Sequence, residues 1–126
     1  MPYTIEVDRQ CRRVLFKANG NYSQEESFQS IQDVLGHPDY QAGHDVLVDM
    51  TDVEDVPLWS ADIFQKVEFD KALIAKLGTA KWAFVAPRDL VYGLARMYQT
   101  LMDDTPIEVE VFRELEPAQA WLNEGW

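Results

Sequence analysis

Apolar and polar residues alternate from Tyr3 to Asp8. Tyr3, Ile5 and Val7 fall on one side, and Thr4, Glu6 and Asp8 fall on the other. A period of two marks a half-buried strand. The polar stretch Asp8-Arg9-Gln10-Cys11 interrupts the alternation, which resumes with Val14 and Phe16 opposite Leu15. This pattern predicts two adjacent strands joined as a hairpin. Asn19-Gly20-Asn21 closes the second strand, with Gly20 able to take a positive φ.

The period then becomes helical. Ser23 stands where its side chain can cap the first backbone N–H groups, and Glu26, three residues on, can return the bond. Phe28, Ile31 and Leu35 follow at helical spacing, and Gly36 and Pro38 stop the run, so a helix is predicted over 24–35. Val46-Leu47-Val48 is the short continuous apolar run of a strand buried on both faces. Residues 51–59, broken at Pro57, read as a loop. Ser60 is a second candidate cap, before a helix with Ile63, Val67, Ile74 and Leu77 down one side and Phe64, Phe69 and Leu73 widening that face. Gly78 closes it, and a break near Phe69-Asp70 fits the pattern. Trp82 to Ala86 reads as another buried strand, ended by Pro87. Asp89 is then placed to cap a helix carrying Leu90, Leu94, Met97, Tyr98 and Leu101, with Gly93 and Ala95 allowing a close neighbour. Ile107, Val109 and Val111 form one face of a last strand, and Pro117 suits the first turn of a last helix with Ala118, Trp121 and Leu122.

The predicted order is β-β-α-β-α-β-α-β-α. Right-handed crossovers make the later strands parallel, giving an α/β fold with a mixed five-stranded sheet. No linker, repeat or low-complexity tract divides the chain, so residues 1–126 are expected to form one domain.

Composition narrows the functional classes. A chain of 126 residues, 47% hydrophobic, can bury about two-thirds of its unfolded surface in a core. Cys11 is alone, which excludes an intrachain disulfide and a thiolate cluster, and it is expected to be a small apolar group in or beside a strand. The 22 acidic and 11 basic residues give a net charge of -11, which repels a phosphate backbone and argues against nucleic-acid binding. Glu6, Asp8 and Arg9 interrupt the apolar run near the start, and no stretch approaches the roughly 18 apolar residues of a membrane span. A cytoplasmic location is the simplest expectation.

The element order resembles the SpoIIAA-like fold, the STAS class. Within it, several stretches resemble a family of small bacterial SpoIIAA-like proteins of uncharacterised function. They are Tyr3-Thr4-Ile5-Glu6-Val7-Asp8, Val46-Leu47-Val48-Asp49, Trp82-Ala83-Phe84-Val85-Ala86-Pro87 with Val91-Tyr92-Gly93-Leu94-Ala95-Arg96-Met97-Tyr98, and in the tail Ile107-Glu108-Val109, Val111-Phe112-Arg113 and Ala120-Trp121-Leu122. The resemblance implies a regulatory module that binds a partner protein. It also implies a phosphate switch on a serine that opens the helix after the central strand. Asp49 matches the strand-end aspartate, Thr51 its companion serine position. Pro57-Leu58 stand where Asp-Ser is usual, and Ser60 takes the glycine position. The phosphoacceptor pattern is therefore broken, with Ser60 the one shifted candidate.

The candidate chemistry is sparse. Residues 45–62 carry Asp45, Asp49, Asp52, Glu54, Asp55 and Asp62 with no Lys or Arg. A plain solvated loop is the first reading; carboxylates at the carboxyl end of a parallel strand also suit a partner-facing patch or an ion loop made of Asp49, Asp52, Glu54, Asp55 and Ser60, although their spacing is not that of a calcium loop. His37 and His44 lack a third ligand, so no metal site is expected, and surface or edge positions account for them. No residue takes a catalytic role and no cofactor is implied. Arg88 follows the end of a predicted strand, where open α/β sheets present ligands. A ligand pocket between the third helix and the sheet would draw on Phe64, Trp82, Arg88, Tyr92 and Met97. Three expectations stand in order: a non-catalytic interaction or regulatory module with a protein partner or a second copy of itself; a binding domain for a small apolar or lipid-like ligand; and an enzyme using the acidic loop and Arg88.

Overall fold

The computed structural model describes residues 3–55 and 60–124, excepting the side chains of 55, 60 and 61. Among the described residues, strands β1 (Tyr3–Asp8), β2 (Arg13–Asn21), β3 (Asp45–Asp55), β4 (Ala80–Val85) and β5 (Ile107–Phe112) form one sheet in the order β1-β2-β3-β4-β5. The first pair is antiparallel and the rest are parallel. The helices are α1 (Gln24–Leu35), α2 (Ser60–Lys71), α3 (Ile74–Leu77), α4 (Asp89–Leu101) and α5 (Leu115–Asn123). No helix among the described residues is long and apolar enough to cross a membrane.

Each crossover after β2 steps to the next strand in the same direction. Right-handed connections therefore carry α1, α2, α3 and α4 to one face of the sheet. Period-two alternation sends Val14, Phe16 and Ala18, Val46, Val48 and Met50, Trp82, and Ile107, Val109 and Val111 into the core below them. Among the described residues, the opposite face is covered by α5 alone, through Ala118 and Leu122 packed on Leu47, Ala83 and Val85.

Several elements differ from the sequence expectation, each for a local reason. β3 runs on to Asp55 instead of ending at Asp49. Beyond Asp49 it pairs with β2 alone, so polar side chains are tolerated on a ladder made by the backbone. Two register shifts against β2 place extra residues on β3. The first moves its inward set from the even positions 46, 48 and 50 to Val53, which is 1% exposed. The predicted helix after Ser60 is two, α2 and the single turn α3. Arg88, not Asp89, is the N-cap residue of α4, and no side chain caps it, because Asp89 turns outward to bond Arg113. Gly93 is exposed, with nothing near its missing Cβ, and so mediates no close approach.

The capping box of α1 is present as read: Glu26 N–H donates to Ser23 Oγ, and Ser23 N–H donates to Glu26 Oε1. Cys11 is exposed in the β1–β2 turn, where Asp8 Oδ1 accepts from the N–H groups of Gln10 and Cys11. That turn removes it from the strand. His44 is buried, not at the surface. Its Nδ1 accepts from Gln41 N–H and its ring meets the Tyr40 ring edge-on.

Candidate functional site

A cavity of about 110 Å³ lies between the sheet and the helices of the covered face. Its floor is Phe16 of β2, Val46, Val48 and Met50 of β3, and Trp82 and Phe84 of β4. The roof comes from Ser27, Ser30, Ile31 and Val34 of α1, Ile63 and Lys66 of α2, and Val91, Leu94, Ala95 and Tyr98 of α4, with Tyr22 beside them. Parallel strand pairing puts Val46 beside Trp82 and Val48 beside Phe84, so the floor is a continuous apolar surface. The Tyr98 ring stands 5.4 Å from Phe84 and stacks over Trp82 at 6.5 Å between centroids.

One wall is polar. Tyr22 OH donates to Ser30 Oγ (3.0 Å), because Ser30 Oγ itself donates to Ser27 O (2.8 Å). Lys66 Nζ donates to the same Ser27 O (3.3 Å) and to Asp70 Oδ1 (2.9 Å). Tyr98 OH closes the chain on Asp70 Oδ2 (2.6 Å). The Asp70 side chain is fully buried and that of Lys66 is 15% exposed. Lys66 and Asp70 are four residues apart on α2, so one helix face holds both charges of the pair.

Burial pushes the Tyr22 hydroxyl up to about 12 and raises Tyr98 well above its ordinary range. For Tyr98 the negative charge of Asp70 and the hydrogen bond to it push the same way. Both hydroxyls keep their protons and stay donors. The wall therefore holds protons in fixed places rather than releasing them.

Four of the five pocket residues expected from sequence lie elsewhere, and only Trp82 lines the cavity. Phe64 is 54% exposed on the outer side of α2. Tyr92 lies under the Arg113 guanidinium, 3.9 Å from the ring centroid. Met97 packs on the edge of the core. Arg88 Nη1 donates to the main-chain oxygen of Glu54 (2.6 Å). The helical period of α4 explains the shift: Val91, Leu94, Ala95 and Tyr98 face the sheet, which turns Tyr92 and Met97 to its flanks.

The acidic stretch does not converge. Asp45 is buried, where Oδ1 accepts from Lys81 N–H. Asp49 Oδ1 accepts from Thr51 N–H, and Asp52 pairs with Lys17 at 3.0 Å on the exposed surface. Arg88 meets the Glu54 backbone and not its carboxylate. Among the described residues, no three His, Cys, Asp or Glu side chains come together as metal ligands. The Asp55 and Ser60 side chains, and the whole of Pro57, Leu58 and Trp59, lie outside the described residues.

Sequence reasoning missed the polar wall. Its signal was present: Asp70 interrupts the apolar stripe Ile63, Val67, Ile74 at a core position, with Lys66 one turn before it. On α1 the buried residues are Ser27, Ser30, Ile31 and Val34, so the inward face is turned from the expected Phe28–Ile31–Leu35 line toward two serines.

No protein-family model matches the chain, and no curated protein matches it. In three dimensions it is similar to an uncharacterised protein of the DUF3478 family with a SpoIIAA-like fold from Shewanella loihica PV-4. The two chains share 20% sequence identity over 95% of this chain and 93% of that one, with a TM-score of 0.57. At that identity the likeness concerns the fold, which is SpoIIAA-like.

Proposed function

We propose that this chain is a single-domain, non-catalytic binding module that holds a small apolar ligand between the sheet and α1, α2 and α4. The observation that carries the reading is the cavity of about 110 Å³ in the middle of an apolar core. Protein interiors are close-packed, and a void of this size forfeits contacts that a repacked core would keep. An apolar cavity of about 150 Å³ takes up benzene, so the present one suits a ring of five carbons or a short branched chain.

Two measurements test it. Native mass spectrometry of gently purified protein should show added mass if a ligand travels with it. A cyclopentane titration should raise the melting temperature by about 10 °C at a hundredfold excess over Kd. Ala95→Leu, which puts a larger side chain into the cavity from α4, should abolish that rise while leaving a cooperative melt. An unshifted melt in wild type, with clean apoprotein, rejects the reading.

A second reading is the interaction module, with a protein partner or a second copy. It rests on Phe64 and Leu90, 54% and 60% exposed near the starts of α2 and α4. Both helices follow parallel strands and so begin at the same end of the sheet. Sedimentation velocity decides it for self-association: wild type should be dimeric and the Phe64→Ser/Leu90→Ser variant monomeric. A monomeric wild type removes the homodimer.

A further inference from the structure

We infer that the ligand of this cavity is a neutral molecule with one hydrogen-bond acceptor, such as a small ketone, aldehyde or ester, received by Lys66. The inference rests on the binding-module reading and names the chemical class that the site takes.

The argument is a count of protons along the polar wall. Tyr22 OH is used on Ser30, Ser30 on Ser27 O, and Tyr98 OH on Asp70. An ammonium has three protons, and Lys66 places two of them, on Ser27 O and Asp70 Oδ1. The Ser27 hydroxyl is engaged with Tyr22, which leaves the third ammonium proton without an acceptor among the described contacts. Lys66 lines the cavity, so an acceptor inside can meet it there. The rest of the lining is apolar side chain and offers a ligand only contact.

Charge decides between acceptors. Lys66 and Asp70 are a matched pair and together contribute no net charge. A carboxylate entering beside them would leave one uncompensated negative charge in a desolvated site, which is strongly unfavourable. A carbonyl oxygen gains a charge-assisted hydrogen bond and adds no charge. A pure hydrocarbon fits the walls but leaves the third proton unused. Size sets the other limit: 110 Å³ admits the carbonyl end of a molecule or a small ring, not a long chain.

The test uses three probes of related shape at pH 7: cyclopentanone, methylenecyclopentane and cyclopentanecarboxylate. The full chain is titrated with each and followed by NMR. In wild type, the carbonyl carbon of ¹³C-labelled cyclopentanone should move downfield on binding, and the ring protons should show contacts to the Lys66 side chain. Cyclopentanecarboxylate should bind at least about tenfold more weakly than the ketone. Lys66→Met/Asp70→Asn removes the ammonium, keeps the wall neutral and leaves an acceptor for Tyr98. It should weaken cyclopentanone about tenfold or more, while methylenecyclopentane changes less than about threefold.

The wild-type carbon shift does not depend on any variant folding. An unmoved carbonyl resonance in the bound ketone overturns the inference, as does tighter binding of the carboxylate. Equal losses of ketone and alkene in the variant also count against it, while leaving the binding-module reading standing. Failure of all three probes to bind wild type, with no response altered by Ala95→Leu, rejects the cavity reading itself.

Discussion

Asp70 is a carboxylate with no solvent exposure, held by one ammonium and one phenol. Desolvating two charges costs several kcal/mol, and the pair persists because every strong partner is in place. The energetic consequence is asymmetric. Lys66→Met strands a buried carboxylate and is expected to cost about 3–5 kcal/mol, while Lys66→Met/Asp70→Leu removes both charges and should recover most of that loss. Urea midpoints at pH 7 for Lys66→Met, Asp70→Leu and the double give the coupling directly. A double variant no better than Lys66→Met would show that the pair is not acting as a unit. In the sequence, Asp70 is legible only as an anomaly, a charged residue on an apolar stripe. Its partner Tyr98, and Ser27, which shares Lys66 with it, come from other helices, at separations that periodicity does not encode.

At the scale of elements, local rules were enough wherever the determinants were local. The Ser23–Glu26 capping box and the alternation in β1 and β5 are nearest-neighbour physics, and the structure has them where they were read. The far half of β3 was not legible, because Thr51 to Asp55 is polar and its strand character comes from β2. The glycines show the same division. Gly78 has φ +74, and a Cβ there would lie 3.0 Å from the Gly43 backbone nitrogen. Gly93 sits in α4 with open space around it. Gly78→Ala is expected to cost about 1–3 kcal/mol, through strain at a conformation nearly restricted to glycine. Gly93→Ala should instead stabilise by about 0.5–1 kcal/mol, since alanine is the better helix former. Paired denaturation curves check both signs, and a destabilising Gly93→Ala would mean that α4 contacts something at that face.

At the scale of the whole molecule, the described residues place four helices on one face of the sheet and one on the other, and that imbalance shapes the response to pH. Tyr3, Tyr22, Tyr40 and Tyr98 all belong to the side of the four helices. Burial raises each of them: Tyr22 and Tyr40 reach about 12, and Tyr3 and Tyr98 shift the same way. A raised folded-state value means that the unfolded chain loses its tyrosine protons first, from about pH 10. Stability is therefore whole below that point and falls as pH rises through the folded values. His44 acts at the other end. Burial, aided by the charge of Arg12, lowers it, so below about pH 6.5 the unfolded chain takes up a proton that the folded chain refuses. Stability is present above that value and declines as pH falls through the lowered one. The expected profile is a plateau between about pH 6.5 and 10 with a fall on each side. On the alkaline side, the tyrosinate absorbance of Tyr22 and Tyr98 should appear together with loss of far-ultraviolet circular dichroism, because these two hydroxyls are buried. His44→Gln should flatten the acid limb and leave the alkaline one unchanged. If Tyr22 and Tyr98 ionise near pH 10 while the secondary structure stays intact, the helix-covered face is open to water, and the apolar cavity is lost with it.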